Sequence, residues 1–291
     1  MTSKDLFYVE KEALRPSENL AINGYLADQI NNDEFDTIVR FYKHQPGVII
    51  GANESLEDVY KDNCEDLGFE VVRRPTGGSA VVVDNTALCY SIFSRYDAKK
   101  NDIHDIYKSI VLPLVNELGN NFSVEGNYYL RFKGQPIAGH ALKTHNNCVQ
   151  FDGIVNTERV DSDLISRLIK LRDSYTLNGE DYVKIGEKFY DLKGNEVSLE
   201  NPVFVKSEKK ALEELVGLKD AGLSEDVFIN IFYNSLKQKN SSLEITPPLK
   251  YEQKEIKKRI GDLERELEDG SRKMKNLGHC FIDLIEKEEA L

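Results

Sequence analysis

Residues 73–80 read RRPTGGSA and follow the strand-like run FEVV at 69–72. Two arginines, a proline and a glycine pair between strand-like segments describe a backbone turn suited to an anion. Arginine's planar fork donates two parallel hydrogen bonds to a phosphate or carboxylate. Adjacent side chains on a strand face opposite ways, so one of Arg73 and Arg74 is expected in a site and the other against a surface carboxylate. Gly77 and Gly78 let the backbone approach a ligand and expose amides to phosphate oxygens. Spacing alone equally permits a Gly-Gly hairpin with surface arginines.

Working outward, Pro16-Ser17-Glu18-Asn19 starts a helix with an apolar stripe of Leu20, Ala21, Tyr25, Leu26 and Ile30. Strands are expected at 37–42 and 48–51 around the turn 44–47, then a helix over 55–67 stopped by Gly68. Beyond the glycine stretch, strands are expected at 80–84 and 87–93, a helix at 102–118, a strand at 128–133 and a turn at 134–136. A strand at 148–155 and a helix at 161–171 follow. Residues 173–204 read as a small hairpin-like insertion, with helices again at 208–215 and 224–236. After Pro247-Pro248, residues 251–269 form a charged helix whose thin apolar face is Ile256, Ile260, Leu263 and Leu267. Strands cluster without regular helical crossovers. The expected class is therefore α+β, a mixed, mainly antiparallel sheet flanked by helices over residues 1–245, with a helical extension at 246–291.

The chain of 291 residues is 40% hydrophobic and 30% charged, enough apolar surface for a sizeable core. Its net charge of −12 disfavours general nucleic-acid binding, so an anionic ligand must be gathered by local groups. No apolar run is long enough for a transmembrane helix, and the first residues have no secretory apolar core. The four cysteines, Cys64, Cys89, Cys148 and Cys280, lie far apart with no CxxC pair, which fits a reducing cytoplasm.

A second cluster spans 133–148, KGQPIAGHALKTHNNC, with Lys133, His140, Lys143, His145 and Cys148. A cysteine beside lysine or histidine is held as thiolate and attacks acyl donors, whereas a cysteine at the head of a strand is a small core residue. The histidines lack a third ligand at useful spacing, and no metal site is expected. His44 and His104 read as surface or turn residues.

Together these stretches resemble the lipoate–protein ligases and the related octanoyl and lipoyl transferases. RRPTGGSAVVVD at 73–84 is similar to the family's arginine- and glycine-rich signature. Asn19-Leu20-Ala21 is similar to its N-x-A, QPGVIIG at 45–51 to its QP-x-V-x-I-G, and GQPIAGHA at 134–141 to its G-x-K-I-[AS]-G-x-A. The resemblance covers roughly residues 5–240. It implies a catalytic domain of the biotin and lipoate ligase type that activates lipoate or octanoate with ATP and magnesium as an acyl-adenylate. The acyl group then passes to a lysine of a lipoyl domain, either a 2-oxoacid dehydrogenase E2 subunit or the glycine cleavage H protein. A separate accessory ligase domain serves some relatives. The implied substrate-binding residues are Arg73, Arg74, Thr76, Gly77, Gly78, Ser79, Ala80, Asp84, Ile137, Ala138, Gly139 and His140. Val71, Val81, Val83, Ile137 and Ala138 are expected to line an apolar acyl tunnel.

The departures are specific. The family's carbonyl-binding lysine falls on Pro136, the third motif glycine on Ser79 and the motif histidine on Val83. The following G-N falls on Thr86-Ala87, and an acidic pair of the first helix on Asn23-Gly24. Lys143, or else Lys133, is expected to replace the missing lysine. A transferase would instead use Cys148 as nucleophile, and a non-catalytic ligand-binding member is the third possibility.

Overall fold

The computed structural model describes residues 5–52, 54–96, 102–125, 129–178, 180–185, 187–191 and 195–268. Cys280 and the end of the expected C-terminal extension lie outside them. In chain order the first elements are β1 (Asp5–Leu14), α1 (Pro16–Asn31), β2 (Thr37–His44), β3 (Gly47–Ile50), a 3-10 turn (Leu56–Asp58), α2 (Lys61–Asp66), β4 (Glu70–Arg73), β5 (Val81–Val83) and β6 (Ala87–Arg95). There follow α3 (Ile103–Leu118), β7 (Phe122–Glu125), β8 (Tyr129–Phe132), β9 (Gln135–His145), β10 (Cys148–Asn156) and α4 (Ser162–Leu168). The last are β11 (Arg172–Leu177), β12 (Glu180–Ile185), β13 (Lys188–Asp191), β14 (Glu196–Val197), β15 (Val203–Ser207), α5 (Glu208–Glu213), α6 (Glu225–Lys237), β16 (Glu244–Ile245) and α7 (Gln253–Glu268).

Three sheets organise these elements. The largest runs β16-β1-β2-β6-β10-β9-β8-β7; β1 is parallel to both β16 and β2, and every other pair is antiparallel. The chain is thus α+β with a mixed, mainly antiparallel sheet, as expected. A small sheet runs β4-β3-β5, and residues 172–207 build a separate sheet ordered β14-β13-β12-β11-β15. Among the described residues no helix is long and apolar enough to cross a membrane.

Register fixes what each face of the large sheet carries, because directly paired residues share a face. One set of rungs is Val39–Ile92–Phe151–Leu142 and Phe41–Tyr90–Gly153–His140. With Phe7, Tyr107, Leu114, Phe228 and Phe232 from β1, α3 and α6, it forms the largest apolar core. Gly153 belongs here for a packing reason: a Cβ would lie 2.2 Å from the Tyr90 ring. The opposite rungs are Ile38–Phe93–Gln150–Lys143 and Arg40–Ser91–Asp152–Ala141, and α1 lies on this face. Pro16 opens α1, the Glu18 carboxylate accepts from the Arg15 N–H at 3.1 Å, and Glu70 of β4 accepts from the Ser17 N–H and hydroxyl at 3.1 and 2.7 Å. Those caps fix the small sheet to the start of α1.

Candidate active site

The glycine stretch is not a hairpin. β4 and β5 do not pair with each other; both pair with β3, β4 parallel and β5 antiparallel. Residues 74–80 therefore cross the end of β3, and the crossing is a backbone contact. A Cβ on Gly51 would fall 1.9 Å from the Gly78 carbonyl oxygen. Gly78 itself has φ +92°, a left-handed conformation that side chains disfavour.

Both arginines hold this loop from within. Arg73 is buried and donates through Nη1 to the carbonyls of Gly51 (2.9 Å) and Glu54 (2.7 Å). Arg74 donates to the Gly77 carbonyl through Nε (3.1 Å) and Nη2 (2.7 Å), to Ser79 (2.8 Å) and to Ile49 (3.0 Å). Both arginines thus engage backbone oxygens of the loop and its neighbours. It also has a consequence for ligands. In a trans peptide the N–H points away from its carbonyl, so drawing in the Gly77 and Ser79 oxygens turns the Gly78 and Ala80 amides away from the guanidinium. Arg74 thus places positive charge behind a loop whose amides turn outward, a donor set suited to an anion.

Under the loop, buried Thr76 donates its hydroxyl to the Asp152 carboxylate at 3.2 Å, and its carbonyl accepts from Ala52 at 3.0 Å. Asp152 also accepts from Ser91 Oγ at 2.6 Å and from Gln150 Nε2 at 3.0 and 2.8 Å. Burial pushes its pKa up, opposed by Ser91, Gln150, Thr76 and the charge of Arg74. From Ser91 the network passes to Tyr42 (3.1 Å) and Asn23 (3.0 Å), and Asn23 Oδ1 accepts from Arg40 at 2.9 Å. Arg40 is fully buried and reaches Asn19 Oδ1 at 2.6 Å and Glu10 at 3.0 Å. Asn19 Nδ2 lies 3.1 Å from His44 Nδ1. His44 is buried, correcting the surface reading; burial and nearby Arg40 lower its pKa to about 3. The loop is also braced from the side. Glu54 accepts from the Gly51 N–H at 3.1 Å, and Arg172, first residue of β11, donates to Glu54 at 2.7 Å and Asp58 at 3.1 Å.

The remaining expected residues separate by face. Lys143 stands cross-strand from Gln150, one rung from the Asp152–Ala141 pair, on the face that bears Thr76. Gly139 pairs with Ile154 on that same face. Ala138 and His140 point to the opposite side, and Ile137 and Ala138 are buried in the large aromatic core. There Tyr90 Oη lies 2.5 Å from His140 Nε2. Lys133 sits in the β8–β9 turn with φ 49°, its Nζ 5.2 Å from the Phe132 ring centre. Asp84 organises the β5–β6 turn by accepting from the Thr86 N–H and hydroxyl at 2.7 and 2.6 Å. Cys148 is buried among Tyr8, Ala21, Ile38 and Phe93, and burial pushes its thiol up to about 12.

Of the expected tunnel residues, Val81 and Val83 join Leu20, Ile49, Val72, Ile154 and Leu263 in one apolar cluster at the foot of the loop. Val71 packs on the other face of the small sheet with Val48 and Ile50. Sequence reading missed Asp152, Ser91, Asn23, Arg40, Glu54 and Arg172. The available signal was a charged residue in the middle of an apolar strand, Asp152 in CVQFDGIV and Arg40 in TIVRFY.

In this α+β domain a glycine crossover backed by arginine stands over an apolar cluster. Residues 15–182 match the family described as the lipoyl protein ligase A/B catalytic domain, more than half of the chain, and the chain belongs to that family. It is 28% identical over 137 residues to the lipoate-protein ligase LplJ of Bacillus subtilis, covering 47% of this chain and 41% of that protein. It is 32% identical over 123 residues to the octanoyltransferase LipM of Carboxydothermus hydrogenoformans, covering 41% of this chain and 45% of that one. The matches thus span less than half the length of either relative. In overall fold it is similar to a structure from an analysis of an archaeal lipoylation system, a bipartite lipoate protein ligase and its E2 lipoyl domain from Thermoplasma acidophilum. The TM-score is 0.61 at 19% identity, over 93% of this chain and 94% of that one.

Proposed function

We propose that the chain is a lipoate–protein ligase-type enzyme that attaches lipoyl or octanoyl groups to a lysine of a lipoyl domain through an acyl-adenylate. A free carboxylate is a poor acyl donor and must first be activated. Its oxygen attacks the α-phosphorus of ATP, taken up as the magnesium complex, and pyrophosphate leaves. The acceptor lysine then attacks the acyl carbonyl, and AMP departs with the bonding electron pair. The loop amides and the Arg74 charge stabilise the phosphate, and Lys143 draws electron density from the carbonyl. The apolar cluster at the foot of the loop takes the acyl chain. Acceptors of this chemistry are E2 lipoyl domains and the glycine cleavage H protein in the cytoplasm.

The observation that supports the reading is that Lys143 lies on the face of the large sheet where Thr76 of the glycine loop bonds Asp152, a position suited to stand in for a lysine at Pro136. Buried Cys148 favours this route over a thioester enzyme. Mass spectrometry of a lipoyl domain incubated with the chain, magnesium-ATP and octanoate or lipoate tests it. The expected result is an acyl adduct that requires ATP, is unchanged in Cys148→Ser, and falls about 10²–10³-fold in rate in Lys143→Ala. An adduct formed without ATP from an octanoyl carrier protein, and lost in Cys148→Ser, would establish the transferase. No adduct from either donor, with ligand still bound, would establish the non-catalytic reading that Pro136 suggests.

A further inference from the structure

The C-terminal helix α7 takes no part in the polar network under the glycine loop, yet one of its residues reaches the apolar cluster beside it. In QKEIKKRIGDLERELE the apolar residues are Ile256, Ile260, Leu263 and Leu267, a single stripe at spacings of four, three and four. The stripe passes over three different surfaces in turn. Ile256 and Ile260 pack with Ala21, Ile22 and Leu26 of α1. Leu263 bridges onward to Leu20, Ile49, Val72, Val81, Val83 and Ile154. Leu267 reaches the far face of the small sheet with Val48, Ile50 and Val71.

Polar contacts fix this crossing. Arg259 forms ion pairs with Asp28 of α1 and, at 3.0 Å, with Glu255 one turn earlier. It fits because α1 has a glycine beneath it: a Cβ on Gly24 would stand 3.1 Å from Arg259 Nη1. Just before the helix, the Tyr251 hydroxyl meets that of Tyr8 at 2.8 Å and donates to Glu10 at 3.2 Å. Of the two positions that resemblance assigns to an acidic pair, Gly24 is thus used here to seat α7, while Asn23 belongs to the polar network.

We infer that α7 is the outer wall of the acyl slot and that Leu263 sets the length of chain the slot accepts. This rests on the reading of the chain as an acyl ligase. The other six residues of the cluster come from α1, β3, β4, β5 and β10, elements locked into the sheets and their caps. Leu263 is the one member contributed by α7, so it is the side chain with which the C-terminal helix closes the cluster. Truncating it removes three carbons of wall, room for about two more methylenes of ligand. Each buried methylene contributes enough to change affinity severalfold.

The test uses the full chain and two non-hydrolysable probes, octanoyl- and decanoyl-sulfamoyl adenosine, titrated by calorimetry. Wild type is expected to favour the octanoyl probe. Leu263→Ala should raise the decanoyl-to-octanoyl affinity ratio about tenfold, and the milder Leu263→Val should move it the same way by a smaller factor. Leu267→Ala, on the same stripe but against the far face, should leave the ratio unchanged. Octanoyl binding at wild-type affinity with an unchanged ratio in both Leu263 variants would overturn the inference alone. A wild-type chain that binds neither probe would overturn the ligase reading and the inference with it.

Discussion

The two faces of the large sheet are chemically opposite. On the side of α3 and α6 the rungs are Phe, Tyr, Ile and Val, closed by Phe228 and Phe232. On the side of α1 they include Arg40, Ser91 and Asp152, joined through Asn23, Asn19 and Tyr42 and running to Thr76 beneath the glycine loop. Apolar burial is non-directional and tolerates small shifts, whereas a buried polar chain is satisfied in only one arrangement. The aromatic face therefore supplies bulk stability. The polar face supplies a fixed position for the loop, at the cost of several desolvated groups.

This contrast is open to test by substitution on each face. Arg40→Ala takes the guanidinium donor from Asn19 and Asn23 and leaves Glu10 with Tyr251 only, and should cost about 3–5 kcal/mol in urea unfolding while weakening adenylate-analogue binding by the molecules that remain folded. Phe232→Ala on the other face should cost a similar ~3–5 kcal/mol, but folded molecules should bind the analogue as wild type does. If both variants lose binding alike, the division of labour fails.

The acid dependence sharpens the same point. His44 has its pKa lowered from 6.5 to about 3 in the folded chain. The unfolded chain therefore binds a proton first, and stability present above pH 6.5 is lost as the pH falls toward 3. By pH 4 the loss is about 3 kcal/mol, and His44→Gln should flatten that part of the stability curve. Asp152 acts with the opposite sign: its raised pKa means stability present below its ordinary 3.8 is lost as the pH rises through the folded value. The difference between wild type and His44→Gln isolates the histidine. The smallest effect should come from Thr76→Val, about 1 kcal/mol in stability. Its turnover should fall more than its thermal midpoint suggests, because the lost bond is the one joining the loop to the network.

Much of the framework was legible because it is written locally. VII at 48–50 and EVV at 70–72 read as the strands they are, and the four-residue and three-residue spacing of Ile256, Ile260, Leu263 and Leu267 defined α7. Elements defined by distant partners were harder. β1 carries Glu10, Lys11 and Glu12 and shows little alternation, yet it is held between β2 and β16. β9 begins Gln135-Pro136 and includes Gly139, so it resembled a turn followed by a polar cluster; pairing with β10 along its length makes it a strand. The expected helix at 55–67 breaks into a 3-10 turn and α2, with Val59 bridged to Ile169 between them. The insertion gained strands because β15 returns to β11 across some thirty residues, a pairing no local pattern records. In the site, the glycines announced the loop. The use of its arginines did not show, since their partners are backbone oxygens brought close only by the crossover.

The hydroxyls of Tyr8 and Tyr251 meet across a separation of 243 residues. During synthesis the N-terminal part emerges first, so the glycine crossover at 47–83 and its buried carboxylate have left the ribosome long before α7 exists. Until α7 is made, the cluster of Leu20, Ile49, Val72, Val83 and Ile154 lacks Leu263. The segment proposed to choose among acyl chains is also among the last described parts to arrive.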